Sequence, residues 1–391
     1  VKSGSADGFS AAPGETVQVD LGEVRPKRIE AGAEYFLNVY LKGRDETGLL
    51  PDGHVYASEQ FALGFVGGHA PVKAMNTNDA ALTVRESGDA VRVSGEDFKV
   101  VFDPRTGELT NWRANGRTVL RKGPLPNLWR AMTDNDFGYM QRLKSGDWVM
   151  AGERRRLDGF GVERLPDGNV RLSADYDLQG PKEQKMADFD VTYTISPEGQ
   201  IDVAVSFIRG PVRGMPMRLG LTMELIGDYS QLDYFGRGPF ENYEDRNGAA
   251  FVGRYTSSVS EQYVPYLRPQ ENGYKTDVRW LSLRDEKGNG LKISGAPFVG
   301  FSALHNPQSD FQAPGDILHA LCDPNQTRVR VRMQGHTNDI TPRDGVWLNV
   351  DGRQAGVGGD NSWGKAPHNA YMLVEDSYSF GFSMKPLEGD G

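Results

Sequence analysis

Apolar and polar residues alternate through much of the chain. Val17, Val19 and Leu21 stand between polar neighbours, and the same period of two recurs at Phe98, Val100 and Phe102 and at Val191, Tyr193 and Ile195. It appears again at Ile201, Val203, Val205 and Phe207, and at Val329, Val331 and Met333. Successive side chains of a strand point to opposite faces, so each run predicts a strand with one buried and one wet face. Turn signals lie between the runs. Asp103-Pro104-Arg105-Thr106-Gly107, Ser196-Pro197-Glu198-Gly199 and Asp285-Glu286-Lys287-Gly288-Asn289-Gly290 supply a proline-fixed φ, glycines able to take positive φ, or both. Each predicts a hairpin. Capped helical periodicity is hard to find, and 48 glycines with 22 prolines would interrupt helices repeatedly. The pattern predicts an all-β fold.

Strand signals are weakest over residues 66–82, VGGHAPVKAMNTNDAAL, which reads as a linker. Residues 1–65 before it hold three or four strand candidates, few for a complete sandwich. Residues 83–391 read as one continuous β body, with no internal repeat of fixed period.

Composition narrows the functions. With 38% hydrophobic residues and no apolar run near the roughly 18 a membrane helix needs, the chain reads as soluble, with no membrane partner. A formal charge of −9 works against binding a phosphate backbone, so nucleic acid is not an expected partner. The single cysteine, Cys322, has no intramolecular disulfide partner, and the six histidines show neither H-x-H nor H-E-x-x-H spacing, so no metal site is assigned. The opening residues VKSGSADG carry no basic and apolar segment of signal-peptide type.

Candidate chemistry is sparse. Gly236-Arg237-Gly238-Pro239 has Glu241 where a dinucleotide loop needs its third glycine, and Asp134-Asn135-Asp136-Phe137-Gly138 lacks the ligand offsets of a calcium loop. A glycosidase needs two carboxyl groups across the scissile bond. Glu241, Asp245, Asp134, Asp136, Asp344, Asp351 and Asp360 are available, but no spacing pairs any two, and no catalytic residue is assigned. There is no G-x-S-x-G nucleophile motif. Aromatics beside polar turns are the better signal: Trp129 after Asn127, Tyr243 in Phe240-Glu241-Asn242-Tyr243, and Trp363 after Asn361-Ser362. A pyranose offers an apolar face for stacking and hydroxyls for Asp, Asn, Glu and Arg. Trp129 and Tyr243 read more readily as core aromatics, and Trp363, closing the loop GVGGDNSW, as either a core plug or a platform.

Four ordered segments carry a resemblance. They are Asn127-Leu128-Trp129-Arg130-Ala131-Met132-Thr133-Asp134-Asn135-Asp136-Phe137-Gly138, Tyr234 through Arg246, Tyr263-Val264-Pro265-Tyr266 with Pro269-Gln270-Glu271-Asn272-Gly273, and Trp347 through Trp363. Together they resemble the C-terminal part of family 2 β-galactosidases, and residues 1–65 resemble the later half of the immunoglobulin-like domain before it. The resemblance implies a galactose-mutarotase-like β-supersandwich preceded by a partial immunoglobulin-like sandwich. It also implies a galactoside substrate such as lactose, and a TIM-barrel catalytic domain, outside this chain, that carries the catalytic glutamates and the magnesium and sodium sites, in an enzyme that can be homo-oligomeric. Trp363 matches the family tryptophan that stacks on sugar at the pocket entrance. Gly138 matches the start of a loop that opens and closes over that pocket, so residues 138–148 are expected to move. For Glu241, Asn242, Asp245 and Arg246 the expectation is a polar structural cluster. Two other readings stand beside this one: an aldose mutarotase with a histidine acid and glutamate base, and a stand-alone carbohydrate-binding module built on Trp363.

Overall fold

The computed structural model describes residues 3–26, 28–43, 48–64, 82–139, 145–312, 335–361 and 363–389. The linker residues 66–81, Cys322 and the alternation at Val329, Val331 and Met333 lie outside these. Two compact units are present, Val1–Asn76 and Thr77–Gly391.

In the first unit, Tyr35–Lys42 and Val55–Leu63 pair as an antiparallel hairpin. Val17, Val19 and Leu21 do not form the expected strand. That segment is irregular, with the three side chains 42%, 37% and 51% exposed. Alternation specifies a strand only where a partner takes up its backbone N–H and C=O groups, and among the described residues no strand pairs with this stretch.

Among its described residues the second unit is all-β, apart from single helical turns. Five antiparallel strands between Thr83 and Leu120 form a meander. A twelve-stranded sheet follows, with a main path running Phe251–Ser258, Gln231–Gly238, Lys275–Arg284, Gly290–Leu304, Ser377–Leu387, Ile201–Arg209, Lys185–Ile195, Val170–Gln179 and Arg155–Arg164. The sheet branches at its longest strand. Residues Gly290–Gly295 pair with Ser377–Leu387, while Gly300–Leu304 pair with Val346–Gln354. The branch continues through Arg218–Leu225 to Lys122–Asn127.

The three expected hairpins are present, and local chemistry explains them. Gly107 takes φ +71° and donates its N–H to Asp103 O at 2.8 Å, closing the turn between two paired strands. Ile201–Arg209 buries every second residue, placing Ile201, Val203, Val205 and Phe207 in the core and the intervening positions in solvent. Trp112 and Trp148 are fully buried. Among the described residues no helix is long and apolar enough to cross a membrane.

Candidate functional site

The four resemblance segments, which span more than two hundred residues of sequence, converge on one cleft. Residues 128–139 leave the strand Lys122–Asn127, residues 239–246 leave Gln231–Gly238, residues 263–273 precede Lys275–Arg284, and residues 355–364 leave Val346–Gln354. Thr133, Asp134 and Asn135, then Glu241, Tyr243, Asp245 and Arg246, then Tyr266, Gln270 and Glu271, and finally Val357 and Gly358 line a cleft of about 340 Å³.

Beneath it run two buried ionic groups. Arg130 is wholly buried and makes a two-pronged pair with Asp136, Nε to Oδ2 at 3.0 Å and Nη2 to Oδ1 at 2.8 Å. Its remaining N–H groups reach across the chain, donating to Gln354 Oε1 at 3.2 Å, Gly356 O at 2.7 Å and Ala355 O. Asp136 also accepts from Thr133 N–H at 2.9 Å and from the Tyr139 hydroxyl. Burial alone would lower the Arg130 pKa, but Asp136 and Tyr139 outweigh it and hold the guanidinium above its ordinary value. Planar, always-charged arginine suits this role, because one fork can satisfy a carboxylate and several carbonyls together.

Arg218 forms the second group. Its Nη2 pairs with Glu271 Oε1 at 2.8 Å, and its Nε lies 2.9 Å from Asp351 Oδ2, at ion-pair distance but off the hydrogen-bond line. The guanidinium sits over the Tyr274 ring, 5.8 Å from its centroid. Burial opposes charge on both partners with unequal results. Two carboxylates facing Arg218 outweigh its burial, whereas Asp351 is carried up to about 7 by burial and Glu271 despite Arg218.

These groups fix the start of the loop that ends in Trp363. Asp245 completes the fixing: its carboxylate accepts the N–H groups of Val357 at 3.0 Å and Gly358 at 2.8 Å. Asn135 Nδ2 donates to Val357 O at 3.0 Å. A Cβ on residue 356 would stand 2.6 Å from the Asp245 carboxylate, so glycine is what permits that approach. Further along, Gly138 and Gly364 pack backbone to backbone, and a Cβ on Gly138 would fall 2.1 Å from Gly364 Cα. Trp363 itself is 92% exposed. The core-plug alternative is thereby removed, because the indole is outside the core on a loop tied down at its base.

Gly138 lies in the single turn Asp136–Tyr139, residues 140–144 are outside the described ones, and Ser145–Trp148 is a short turn with Trp148 buried. Trp129 and Tyr243 are buried at 6% and 2%. The expected polar cluster around Glu241 exists in part. Glu241 accepts from Arg246 at 2.7 Å, Gly273 N–H at 2.9 Å and the Tyr266 hydroxyl, and Asn242 is bonded on both sides of its amide. Asp245 belongs to the Trp363 loop instead. The calcium-like run is accounted for by pairing, with Asp136 held by Arg130, and Asp134 held by Arg268 at 2.7 Å and by Gln270. Among the described residues no group of three or more His, Cys, Asp or Glu is placed to hold a metal, and none of the described histidines lines the cleft. Arg218 carried no functional signal in sequence, and Asp351 stood there only as one of several unpaired carboxylates, because each is meaningful only beside partners far along the chain.

Fold and site define a class: a branched all-β domain with a polar cleft and an exposed indole on a loop tied down at its base. Residues 94–384 match the β-galactosidase small-chain family and residues 1–64 match β-galactosidase domain 4. The chain belongs to the β-galactosidase small-chain family. A β-galactosidase from Priestia megaterium is 31% identical over 97% of this chain and 34% of its own length, and one from Vibrio cholerae is 30% identical over 96% and 34%. The chain thus spans about a third of these relatives. A galactose 1-epimerase from Lactobacillus acidophilus superposes with a TM-score of 0.40 at 9% identity, over 79% of this chain and 98% of that one, a likeness too loose to bear on the site.

Proposed function

We propose that this chain is the C-terminal portion of a β-galactosidase and completes the substrate pocket of a TIM-barrel catalytic domain lying outside it. The complete enzyme hydrolyses terminal β-D-galactosides such as lactose. Its catalytic glutamates, magnesium and sodium belong to the catalytic portion. The chain's own contribution is a binding surface, with Trp363 as the platform against which the sugar stacks.

The supporting observation is the placement of Trp363. A 92% exposed indole is costly in water, and here its loop is anchored by Asp245, Asn135 and the buried Arg130–Asp136 pair. Covering such a ring with the apolar face of a pyranose is worth about 1.5–3 kcal/mol. The base of the loop is thus already held by protein contacts, which lowers the ordering cost of binding. The test is hydrolysis of nitrophenyl β-galactoside, by the chain alone and by the complete enzyme. The chain alone is expected to be inert and the complete enzyme active, whereas turnover by the chain alone at glycosidase rates overturns the reading.

A further inference from the structure

Asp245 and Asn135 hold the approach to Trp363, at Val357 and Gly358. They do not reach the turn that carries the indole, and that turn has fastenings of its own. A Cβ on Gly359 would stand 2.1 Å from Lys365 O, so the backbone of one arm lies directly against the other. One residue further on, Asp360 Oδ1 lies 2.7 Å from His368 Nε2 and joins the two arms a second time. Between the arms the Asn361 side chain accepts the Trp363 N–H at 2.9 Å, and Gly364 packs on Gly138.

His368 can act as the outer fastening because its own backbone is fixed. It precedes the single turn Asn369–Tyr371, where the Tyr371 N–H donates to His368 O at 2.9 Å and Tyr371 O accepts from Gly356 N–H at 2.8 Å. Gly356 is also the residue whose carbonyl the buried Arg130 holds. A run of direct contacts therefore leads from the Arg130–Asp136 pair through Gly356, Tyr371 and His368 to Asp360, three residues before the indole. The hydrogen bond and charge of His368, with Lys365 nearby, keep the Asp360 carboxyl below its ordinary pKa. The pair is 65% exposed at His368 and 60% at Asp360, so it adds little to the stability of the fold. Neither side chain lines the cleft. What the pair does is local to the turn.

We propose that Asp360 and His368 clasp the two arms of the Trp363 turn and are positioning residues that hold the indole in place for the sugar. The proposal rests on the reading of Trp363 as a stacking platform. An indole on an open arm samples many orientations and loses them when a sugar stacks on it, whereas a clasped turn has fewer to lose. Opening the clasp weakens substrate binding and leaves the chemical step alone.

The test is KM and kcat for lactose hydrolysis by the complete enzyme in the native sequence, His368→Ala, His368→Gln, Trp363→Ala and the double variant His368→Ala with Trp363→Ala, with a thermal melt of each. His368→Ala should raise KM about two- to fivefold, the size expected of one exposed pair, with kcat within about twofold and the melting temperature unchanged. His368→Gln keeps a side-chain N–H for Asp360 and should recover most of the loss. The double variant should match Trp363→Ala, because the clasp acts only through the indole. A KM unmoved by His368→Ala, or a loss that adds to that of Trp363→Ala, overturns the clasp and leaves the platform reading standing. If Trp363→Ala itself leaves KM unchanged, the platform reading fails and the clasp falls with it.

Discussion

Asp245 offers the sharpest perturbation of the Trp363 loop. Its two oxygens accept from consecutive backbone N–H groups, Val357 at 3.0 Å and Gly358 at 2.8 Å, six and five residues before the indole. Hydrogen bonds to a charged acceptor contribute about 1.5–3 kcal/mol each when buried. All three residues here are half-buried, so water replaces part of the loss, and about 1.5–3 kcal/mol for the two together is the reasonable figure. If that energy holds the loop where the indole meets substrate, Asp245→Ala in the complete enzyme should raise KM for nitrophenyl β-galactoside about 10- to 150-fold, with a smaller change in kcat. Asp245→Asn keeps one good acceptor and should fall between. The decisive comparison is the double variant with Trp363→Ala. Because Asp245 acts through the indole, the double variant should be no worse than Trp363→Ala alone. Additive losses would refute the positioning role.

Three further outcomes are expected. Gly138→Ala, placing a Cβ 2.1 Å from Gly364 Cα, should cost about 1–3 kcal/mol in urea unfolding, and Gly364→Ala at least as much because φ there is +100°. Asp136→Ala strands the fully buried Arg130 and should cost about 3–5 kcal/mol by the same measurement, whereas a loss under about 1 kcal/mol would mean the pair is not what fixes residues 354–356. Asp351 is carried from 3.8 up to about 7 by burial, so the folded state holds its proton more tightly than the unfolded chain does. Its stabilisation is complete below 3.8 and is lost as pH rises through about 7. Asp351→Asn should therefore flatten the fall in stability across that window, and an unchanged slope would contradict the assignment.

What was legible in the sequence follows the range of the interactions. The hairpins at Asp103–Gly107, Ser196–Gly199 and Asp285–Gly290 are set by residues a few positions apart, and they form as expected. The alternation of Ile201–Arg209 likewise reports its own buried face. Val17, Val19 and Leu21 show the limit, since the same period occurs there without a strand. The anchor of the Trp363 loop was not legible. Asp245 meets Gly358 113 residues away, and Arg130 meets Gln354 224 residues away, so neither local propensity nor periodicity can pair them. Segment resemblance points to Trp363 without saying that it stands clear of the core.

Everything proposed for the complete enzyme turns on whether the exposed indole of Trp363 forms part of a galactoside pocket completed by another domain. The most direct measurement is KM and kcat for lactose hydrolysis by the complete enzyme in three forms: the native sequence, Trp363→Phe and Trp363→Ala. Loss of about 1.5–3 kcal/mol of stacking predicts a KM raised about 10- to 150-fold by Trp363→Ala, with Trp363→Phe recovering much of it. Kinetics indistinguishable among the three would contradict that role for the indole.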